Sequence, residues 1–556
     1  MASTQQQPPP AAVSSFIEDN EKEVDSEHVE NVARSDRAIV PEHENYSIPK
    51  TTRVFWKCTL FAVGMSLAAA FECFALIVPN SIVANQGFIR DFGRVYGPDG
   101  VPIAMKPSDL SNWNLAVSLG GVVGLPIGGF LSDRFGRKVV LMACTANLTL
   151  AVILSVTIRP SFGGWLARAL VSGLSQGLLQ SSLIPYLSEI APNKIRGMYL
   201  SMYSFFWGLG ILVGSIALYV SEQIDPDNWK GPFYAQFVFL GMFIPALVFA
   251  PETPWFLARK GQEAKAKRAL RTLYGNVSTY DVNREYLVIV AAIEAEKPVQ
   301  PDGTNKARPE WRQYLDCFKG TNLRRTLIGA MPIVAQAFAG VMLFYGYTVY
   351  FFEQAGYPKP FEANLIFGFC QLAGVGVSFF ALDYFGRRPM LIFGTGFCAI
   401  CCWALGGIAF METPPGAAMA ALACLWVFVY STSLGPLGYN YVGEVPTQRL
   451  KSKTAAIAFT CNVGSNLMFS YLAPYMLSPL EWGWGLKVGL LFGPTCTIAF
   501  ILVALFAVET KGRSIADLDE MFAARLKPWH FAKYQTKAQQ ESAENDAASD
   551  QRSQLR

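Results

Sequence analysis

Apolar residues along the chain are gathered into long runs that are separated by shorter polar stretches. A membrane-spanning helix needs about 20 mostly apolar residues, and twelve runs of the 556-residue chain are of that length. We number these predicted spans 1 to 12 in chain order: 54–80, 110–132, 139–158, 164–188, 198–220, 232–250, 326–352, 362–382, 390–411, 416–442, 454–478 and 485–508.

One long polar stretch divides the spans into two groups of six. Residues 251–325 are rich in charge, and within them Gln262–Leu273 is predicted as a short helix. The pattern therefore predicts an all-α membrane protein with one six-helix bundle at 53–250, a cytoplasmic loop at 251–325 and a second six-helix bundle at 326–508.

Both ends of the chain are polar. Residues 1–52 begin with Gln and Pro and lack the apolar core of a cleaved signal peptide, so span 1 is expected to act as an uncleaved insertion signal. The C-terminal tail, 509–556, contains a predicted amphipathic helix at Ile515–Phe522. We predict disorder for 1–52 and for 530–556, because such compositions cannot bury enough apolar surface to fold.

The distribution of Lys and Arg predicts the orientation in the membrane. Cytoplasmic loops carry an excess of these residues, and the basic loops all fall on the side that also holds both termini: 133–138, 193–196, 251–325, 387–388 and 449–453. The opposite loop 83–109 departs from this rule, since it carries Arg90, Arg94 and Lys106. We expect both termini to be cytoplasmic, which leaves the sequon at Asn45 unglycosylated.

Composition excludes several classes of protein. Only 16% of residues are charged and 52% are hydrophobic, so lipid is the main solvent, while a net charge of +4 gives no indication of a nucleic-acid partner. The three histidines, His28, His43 and His530, lie in the tails, and most of the 11 cysteines lie inside apolar runs. We therefore expect no catalytic centre, no metal or other cofactor and, without a phosphate-binding G-x-x-x-x-G-K-[ST] loop, no ATP-driven pump.

Three motifs occur in the same order in both halves of the chain. The segment 129–138 after span 2 matches 381–388 after span 8, the acid at the end of span 4 matches that of span 10, and Pro251-Glu-Thr matches Glu509-Thr. The spacings agree: Asp133 to Glu189 is 56 residues and Asp383 to Glu444 is 61. The chain is therefore a duplicated six-helix unit, a design that places a substrate site between the halves.

Each motif puts an acid at a cytoplasmic helix end beside a base on a neighbouring loop. One interpretation is that the bases only anchor helices at the phosphate layer of the membrane. The interpretation we favour, because the motifs match in both halves, is a cytoplasmic gate of charges that closes in one conformation and opens in the other. The predicted gate residues are Asp133, Arg137, Glu189, Arg196, Glu252, Asp383, Arg387, Glu444, Lys451 and Glu509.

These motifs closely resemble those of the sugar porter family of the major facilitator superfamily. The resemblance covers residues 52–525, and its most specific parts are Pro251–Leu257 and Glu509–Arg513. Within the family, Trp207 and the segments 350–353, 474–477 and 482–485 are most similar to fungal α-glucoside permeases of the maltose type. The resemblance implies the major facilitator fold and sugar transport by alternating access, in which two bundles rock about a central site.

The resemblance also implies a set of residues that contact the sugar. In the family, amides bond sugar hydroxyls and aromatic faces pack on the sugar ring. The matching positions are Gln336 and Tyr347 on span 7, Gln371 on span 8, Tyr439 on span 10, Asn462 and Asn466 on span 11, and Ser204 and Trp207 on span 5. The competing interpretation is that these polar groups hold helices together, as they commonly do in membranes.

The chain departs from the family at positions that bear on proton coupling. Proton-coupled members carry an Asp in span 1, and the aligned residue here is Ala75. The helix 2 acid of α-glucoside permeases aligns with Gly121, and the helix 7 motif is altered at Ala337 and Met342. These differences leave open whether the protein is a proton symporter or a facilitator.

One acid remains deep in span 1. Glu72 shares a helical face with Ala75, and an ionisable residue within a span is a candidate functional group. Arg168 in span 4 matches a family arginine of similar depth. One hypothesis is that Glu72 carries the coupled proton and Arg168 tunes its pKa. The rival is a permanent Glu72–Arg168 pair in a protein that only facilitates diffusion.

Two other functions stay open at this point. A nutrient sensor with transporter architecture would tend to need a long signalling tail, and the tail after Phe522 is short. A transporter of another polyhydroxylated solute, such as a polyol, a sugar acid or a secondary metabolite, would fit the altered pocket. The expected partners are a small sugar-like solute, the lipid bilayer and, if coupled, protons, and the expected state is a monomer in the plasma membrane.

Overall fold

The computed structural model describes residues 48–192, 195–275, 277, 280–295, 314–354, 357–411, 415–447, 450–511, 513 and 515–536. It is built almost entirely of helices. In lipid the backbone must satisfy its own hydrogen bonds, and a helix does so within one segment. The predictions of disorder for residues 1–47 and 537–556 and the sequon at Asn45 lie outside the described residues.

All twelve predicted spans fall on helices. Those of the first half are Trp56–Ser81, Pro107–Phe135, Arg137–Thr157, Phe162–Ile190, Arg196–Ile224 and Gly231–Phe249. Those of the second half are Gly320–Phe338 with Thr348–Gln354, Pro360–Phe385, Arg387–Ile408, Gly416–Thr432 with Leu434–Glu444, Lys451–Leu477, and Gly489–Phe506.

By length and composition, nine helical stretches in the described part of the chain could cross a membrane. Spans 4, 7 and 11 are the other three, and they carry candidate polar residues such as Arg168, Gln336 and Asn462. Other residues contribute as well, since the helix of span 7 ends at Phe338 and contains Arg324 and Arg325.

Two spans are interrupted in the second half. Span 7 bends after Phe338, where Gly340 has a φ of 90°, and continues through a wide turn at Met342–Gly346 into Thr348–Gln354. Span 10 breaks at Ser433, whose φ of −125° and ψ of −83° are not helical. Broken helices survive in membranes only where other groups satisfy the freed backbone.

Smaller elements flank the bundles. The loop after span 1 contains the helix Gln86–Phe92 and an antiparallel hairpin of Val95–Tyr96 and Pro102–Ala104. The region between the two halves, which is predicted to be cytoplasmic, contains Pro254–Arg259, Glu263–Tyr274 and Val282–Ala295. We name the two sides of the protein, cytoplasmic and outer, by this predicted orientation. The predicted helices Gln262–Leu273 and Ile515–Phe522 are observed at Glu263–Tyr274 and Ile515–Ala523.

The structure corrects the predicted disorder at both ends of the membrane part. A helix, Ile48–Val54, begins inside the predicted N-terminal tail. At the other end, residues 530–536 fold back onto Ile515–Ala523: Phe531 is fully buried against Phe522, with ring centroids 5.2 Å apart. Arg513 Nη2 donates to the carbonyls of Phe531 and Tyr534, at 3.0 and 2.7 Å. An apolar anchor and these hydrogen bonds outweigh the polar composition of the tail.

The two halves meet along pairs of spans. Span 2 packs against span 11, span 5 packs against span 8, and span 1 touches the broken part of span 7. Within the first half, spans 2 and 4 approach most closely, because Gly124 and Gly177 leave no side chains between the two backbones. The central residues of these spans therefore face the boundary between the halves, where a duplicated transporter holds its substrate.

Candidate functional site

Arg137 joins several spans of the first half at the ends that are predicted to be cytoplasmic. Its guanidinium is 4% exposed, and Nη2 lies 3.1 Å from Glu189 Oε1 and 3.3 Å from Asp133 Oδ1. Nη1 donates to the carbonyl of Ser132 at 2.9 Å. Thr253 Oγ1 donates to the other oxygen of Glu189 at 2.5 Å. Arg137 thus links the cytoplasmic ends of spans 2, 3 and 4 and reaches Thr253 through Glu189.

Glu252 closes the N-terminus of span 3. Its carboxylate accepts from the backbone N–H of Arg137 and of Lys138, each at 3.1 Å. A helix N-terminus carries unpaired N–H groups and a partial positive charge, so a carboxylate stabilises it. Burial nevertheless raises the pKa of Glu252, because desolvation of the carboxylate outweighs the lowering effect of the hydrogen bonds and of Arg137.

The second half repeats this arrangement. Glu509 accepts from the backbone N–H of Arg387 at 2.9 Å and of Arg388 at 3.1 Å. Thr510 Oγ1 donates to Glu444 Oε2 at 2.5 Å, and Arg387 Nε lies 3.8 Å from the same oxygen. The duplicated motifs of the sequence therefore form the same local structure twice.

Glycine is required in the turn between spans 2 and 3 and in the turn between spans 8 and 9. Gly136 and Gly386 have φ values of 104° and 93°, which other residues rarely adopt. A Cβ at Gly136 would overlap the carboxylate of Glu252, and one at Gly386 would lie 2.8 Å from Glu509 Oε2. The glycine thus makes room for the carboxylate that caps the next helix.

The ion pairs named above each join helices of the same half. Across the halves, two bases approach each other: Lys451 on span 11 lies within electrostatic range of Arg196 on span 5 and of Glu444. The predicted gate residue Asp383 has its side chain outside the described part of the structure. The role of these charges as a gate that opens and closes stays a prediction.

Two polar contacts join the halves at the opposite ends of the spans, on the side that is predicted to face outward. Asn114 Nδ2 on span 2 donates to the hydroxyl of Tyr347 on span 7 at 2.8 Å. Ser111 Oγ, one turn earlier on span 2, donates to the carbonyl of Tyr471 on span 11 at 2.7 Å. Tyr347 also donates to the carbonyl of Ser470 at 2.9 Å, which fixes its ring. The structure is therefore closed toward the outer side.

Two of the predicted sugar-binding amides contact backbone instead. Gln336 Nε2 donates to the carbonyls of Leu434 and Gly435, at 3.1 and 2.9 Å. These carbonyls follow the break of span 10, so Gln336 helps to stabilise the interruption. Asn462 Nδ2 donates to the carbonyl of Ile333 at 2.5 Å. Both amides hold helices of the second half together, as the competing interpretation expects.

Two other predicted amides keep an acceptor without a protein partner. Asn466 Nδ2 donates to Asn462 Oδ1 at 3.0 Å, and Asn466 Oδ1 is buried with no hydrogen bond. Gln371 is buried on span 8, and its Oε1 has no hydrogen bond either. A buried acceptor without a partner costs about 1–3 kcal/mol. These two oxygens are therefore available to a ligand that donates hydrogen bonds.

Tyr345 is an aromatic neighbour of Gln371. Trp207 on span 5 is half-buried and packs, with Tyr345 of span 7, on the cluster of Cys73, Ile77 and Ile211. Tyr345 bonds Ser431 of span 10 at 3.0 Å. Rings from both halves therefore line the boundary.

Tyr439 and Ser204 occupy the cytoplasmic side of this region. The Tyr439 side chain is 44% exposed, yet its hydroxyl lies within electrostatic range of Tyr203 and Glu72 in the other half. Ser204 is half-buried on span 5 next to Tyr203. The Tyr439 side chain thus lies near the other half, and part of it is not covered by protein.

Glu72 and Arg168 do not form the predicted pair. Arg168 Nε donates to Ser155 Oγ and Nη2 donates to the carbonyl of Ala75, both at 3.0 Å, and the guanidinium lies 5.2 Å from the ring centre of Trp165. Glu72 instead accepts a long contact, 3.5 Å, from the hydroxyl of Tyr203. Similar depth in the membrane did not bring the two together, because their side chains point toward different helices.

Comparison with known proteins identifies the family. A family model described as "Sugar (and other) transporter" matches residues 59–522. The chain belongs to the sugar porter family of the major facilitator superfamily. It is an integral, multi-pass membrane protein, as the family and the apolar helices show.

Similar sugar porters are known from yeasts. A general α-glucoside permease of Saccharomyces cerevisiae is 27% identical, over 93% of this chain and 83% of its own length. A maltose permease of the same species is 31% identical, over 74% of this chain and 67% of its own. A high-affinity fructose transporter of Schizosaccharomyces pombe is 29% identical, over 75% of this chain and 78% of its own length.

Solved structures share the fold. The inward-open xylose transporter of E. coli is 21% identical, with a TM-score of 0.65 over 84% of this chain and 99% of that one. A proton:xylose symporter structure bound to a bromodeoxyglucose gives a TM-score of 0.64 at 20% identity. The predicted major facilitator fold is therefore confirmed.

Sequence reasoning missed several polar residues at the boundary. Tyr203, Gln180, Tyr345 and Ser431 surround Glu72 and Gln371 in the structure. Tyrosine and serine within apolar helices of this family are typical of packing, so nothing local distinguished them. The one available signal was Glu72 itself, since an acid within a span implies polar neighbours.

Proposed function

We propose that this protein moves a hexose or an α-glucoside across the plasma membrane by alternating access, with both termini in the cytoplasm, and that it acts as a monomer. The family and the printed functions of the yeast relatives, which include α-glucoside, maltose and fructose transport, support sugar transport. They do not favour a non-sugar solute or a nutrient sensor.

The observation that carries the proposal is the pair of unpaired acceptors, Gln371 Oε1 and Asn466 Oδ1. Sugar hydroxyls are donors, so a bound sugar would satisfy both oxygens and remove the cost of leaving them buried and unpaired. The rings of Trp207 and Tyr345 offer apolar faces to the C–H side of a pyranose.

The conformation of the structure, with contacts between the halves on the outer side, supports alternating access. The outer side is closed by Asn114–Tyr347 and Ser111–Tyr471, while the side chain of Tyr439, toward the other side of the protein, is partly exposed. The same glutamate caps at the starts of spans 3 and 9 hold neighbouring spans together within each half, as a mechanism in which the two halves move against each other requires.

The test is uptake of labelled maltose, sucrose and glucose in a yeast strain that lacks sugar transporters, with the protein quantified at the cell surface. Saturable uptake of at least one of the three sugars is expected. A Gln371→Leu variant at equal surface density should take up that sugar more slowly. No uptake of any of the three sugars by surface-expressed protein would contradict the proposal.

A further inference from the structure

A cavity lies where the C-terminal tail folds back against the ends of spans 8, 9 and 12. It has a volume of about 540 Å³, and its lining residues are Phe385, Pro389, Glu509, Lys511, Arg513, Ala532, Lys533, Tyr534 and Gln535. That volume falls within the roughly 300–1,000 Å³ of pockets that bind small molecules. Residues 532–535 form one wall, so the cavity depends on the folded tail.

The lining of this cavity is positively charged. Glu509 is the one acid among the lining residues, and its two oxygens already accept the backbone N–H groups of Arg387 and Arg388 at the start of span 9. The other three charged residues of the lining are bases. Three positive charges against one negative charge give the lining a formal charge of +2.

Backbone carbonyls hold two of these bases in place. Lys511 Nζ donates to the carbonyl of Tyr384, in the last turn of span 8, at 3.0 Å. Arg513 Nη2 donates to carbonyls of the tail, among them that of Tyr534 at 2.7 Å. Lys533 is exposed, and in the described part of the chain neither it nor Lys511 pairs with a carboxylate. An ammonium has three donors, so both lysines keep N–H groups for a ligand.

The cavity adjoins the surface that faces lipid. Phe385 is the last residue of the helix of span 8, and Pro389 lies in the first turn of span 9. The side chains of Tyr384 and Phe385 are 77% and 60% exposed, and that of Phe393, one turn beyond Pro389, is 58% exposed. Exposed aromatic rings at the ends of spans are typical of the boundary between the hydrocarbon and the headgroups of a membrane. The charged lining therefore lies at the level of the headgroups.

These features fit the headgroup of an anionic phospholipid. Phosphate oxygens accept hydrogen bonds and carry negative charge, so they match the donors of lysine and arginine. A phosphatidylcholine headgroup would bring its own cation into a positively charged lining, whereas phosphatidylserine has a net negative charge. Free phosphate has the same oxygens but no acyl chain to cover the exposed rings of Phe385 and Phe393.

We propose that this cavity binds one anionic phospholipid of the cytoplasmic leaflet, with its phosphate between Lys511 and Lys533 and an acyl chain along Phe385 and Phe393. Lys511 follows span 12 and Lys533 lies in the tail, so the phosphate joins the tail to the membrane part of the protein. The lipid thereby stabilises the folded-back tail. The choice of leaflet rests on the proposed cytoplasmic C-terminus, but the binding itself depends neither on that orientation nor on sugar transport.

The first experiment measures lipid binding to the purified full-length protein by native mass spectrometry. Delipidated protein in detergent receives equal amounts of dioleoyl phosphatidylserine and dioleoyl phosphatidylcholine, and the affinity for the first molecule of each is determined. The variants are Lys533→Gln and the double variant Lys511→Gln/Lys533→Gln. The matched control, Lys260→Gln/Lys265→Gln, removes two exposed lysines from the region between the halves.

We expect wild type and control to prefer phosphatidylserine. Each lysine that is removed from the cavity should weaken binding of phosphatidylserine about fivefold, while binding of phosphatidylcholine stays unchanged. Equal affinity of the wild type for the two lipids would overturn the proposal, and so would a double variant that binds phosphatidylserine as tightly as the control does. Displacement of phosphatidylserine by inorganic phosphate would identify a site for small anions and would also overturn it.

A measurement on the unmodified protein covers the case in which the double variant does not fold. Amides of residues 530–536 should exchange hydrogen more slowly in nanodiscs that contain phosphatidylserine than in nanodiscs of phosphatidylcholine alone. The helix Glu263–Tyr274, which lies in the region between the halves, should exchange equally in both. Equal exchange of the tail in the two lipids would contradict its stabilisation by the lipid. Slower exchange in both segments would be a general effect of surface charge and would count against a defined site.

Discussion

Asn114 and Tyr347 join the two halves of the protein through a 2.8 Å hydrogen bond from the amide to the hydroxyl. The same hydroxyl donates to the carbonyl of Ser470, so a single oxygen serves spans 2, 7 and 11. Removal of the hydroxyl leaves Asn114 Nδ2 with only its bond to the carbonyl of Leu110, at 3.1 Å, and takes a donor away from the buried carbonyl of Ser470.

Tyr347→Phe should therefore favour the outward-open conformation. Loss of about 1–1.4 kcal/mol from the closed state changes the ratio of the two conformations by about five- to tenfold. A cysteine placed at Asn80, on the outer part of span 1, should react faster with a membrane-impermeant thiol reagent added outside. Tyr350→Phe is the matched control, since that hydroxyl on the same span bonds Ser478 within one half. Equal reaction rates in both variants would show that the Asn114–Tyr347 contact does not close the outer side.

Gly136→Ala should destabilise the protein severely. The new Cβ would meet the carboxylate of Glu252 at a φ that alanine rarely adopts, which costs about 1–3 kcal/mol for the backbone alone. Thermal unfolding in detergent, followed by tryptophan fluorescence, should show a clearly lower Tm. The control is Gly129→Ala, on the same helix, where nothing lies within 4 Å of the added Cβ. A normal Tm for Gly136→Ala would contradict the assigned role of the glycine.

The raised pKa of Glu252 predicts that the stability of the protein falls as pH rises. Its pKa is raised in the folded protein by desolvation, above an ordinary value of 4.5. A raised pKa means that the folded state holds the proton of Glu252 more tightly than the unfolded state does. The stability that this proton contributes to the fold is therefore present below pH 4.5 and is lost as pH rises through the pKa of the folded state. Tm measured from pH 4 upward should therefore fall more in wild type than in Glu252→Gln. Identical profiles would show that the carboxyl does not titrate in that window.

The two kinds of amide should respond differently to substitution. Gln371→Leu removes an acceptor that has no protein partner, so we expect uptake at sub-saturating sugar to fall about five- to a hundredfold with little change of Tm. Asn462→Leu breaks the 2.5 Å bond to the carbonyl of Ile333 and should lower Tm. A Gln371→Leu variant with normal KM would place the sugar elsewhere.

The length of the apolar runs predicted the twelve spans, because lipid leaves the backbone few alternatives to a helix, and the family resemblance implied their arrangement. The breaks in spans 7 and 10 were not predicted. The duplicated motifs likewise predicted which acids and bases come together at the cytoplasmic ends, since each motif is a local contact between helix termini. Glu252 and Glu509 occupy equivalent places in the structure, as their sequence context indicated.

The partners of single polar residues within spans could not be predicted. Gln336 and Gln371 look alike in sequence, yet one bonds the broken backbone of span 10 and the other keeps a free oxygen. That difference depends on the rotation of each helix and on a break 97 residues along the chain from Gln336. The predicted partner of Arg168 was wrong for the same reason, because the sequence gives the depth of a residue in the membrane but not the helix toward which its side chain points.

The most direct test of sugar transport by alternating access is counterflow with purified protein in liposomes. Vesicles loaded with unlabelled sugar and diluted into a trace of labelled sugar should show a transient overshoot of label. Gln371→Leu should reduce the overshoot, and Gly129→Ala should leave it unchanged. Label that enters without an overshoot, or no entry at all for maltose, sucrose and glucose, would contradict the account.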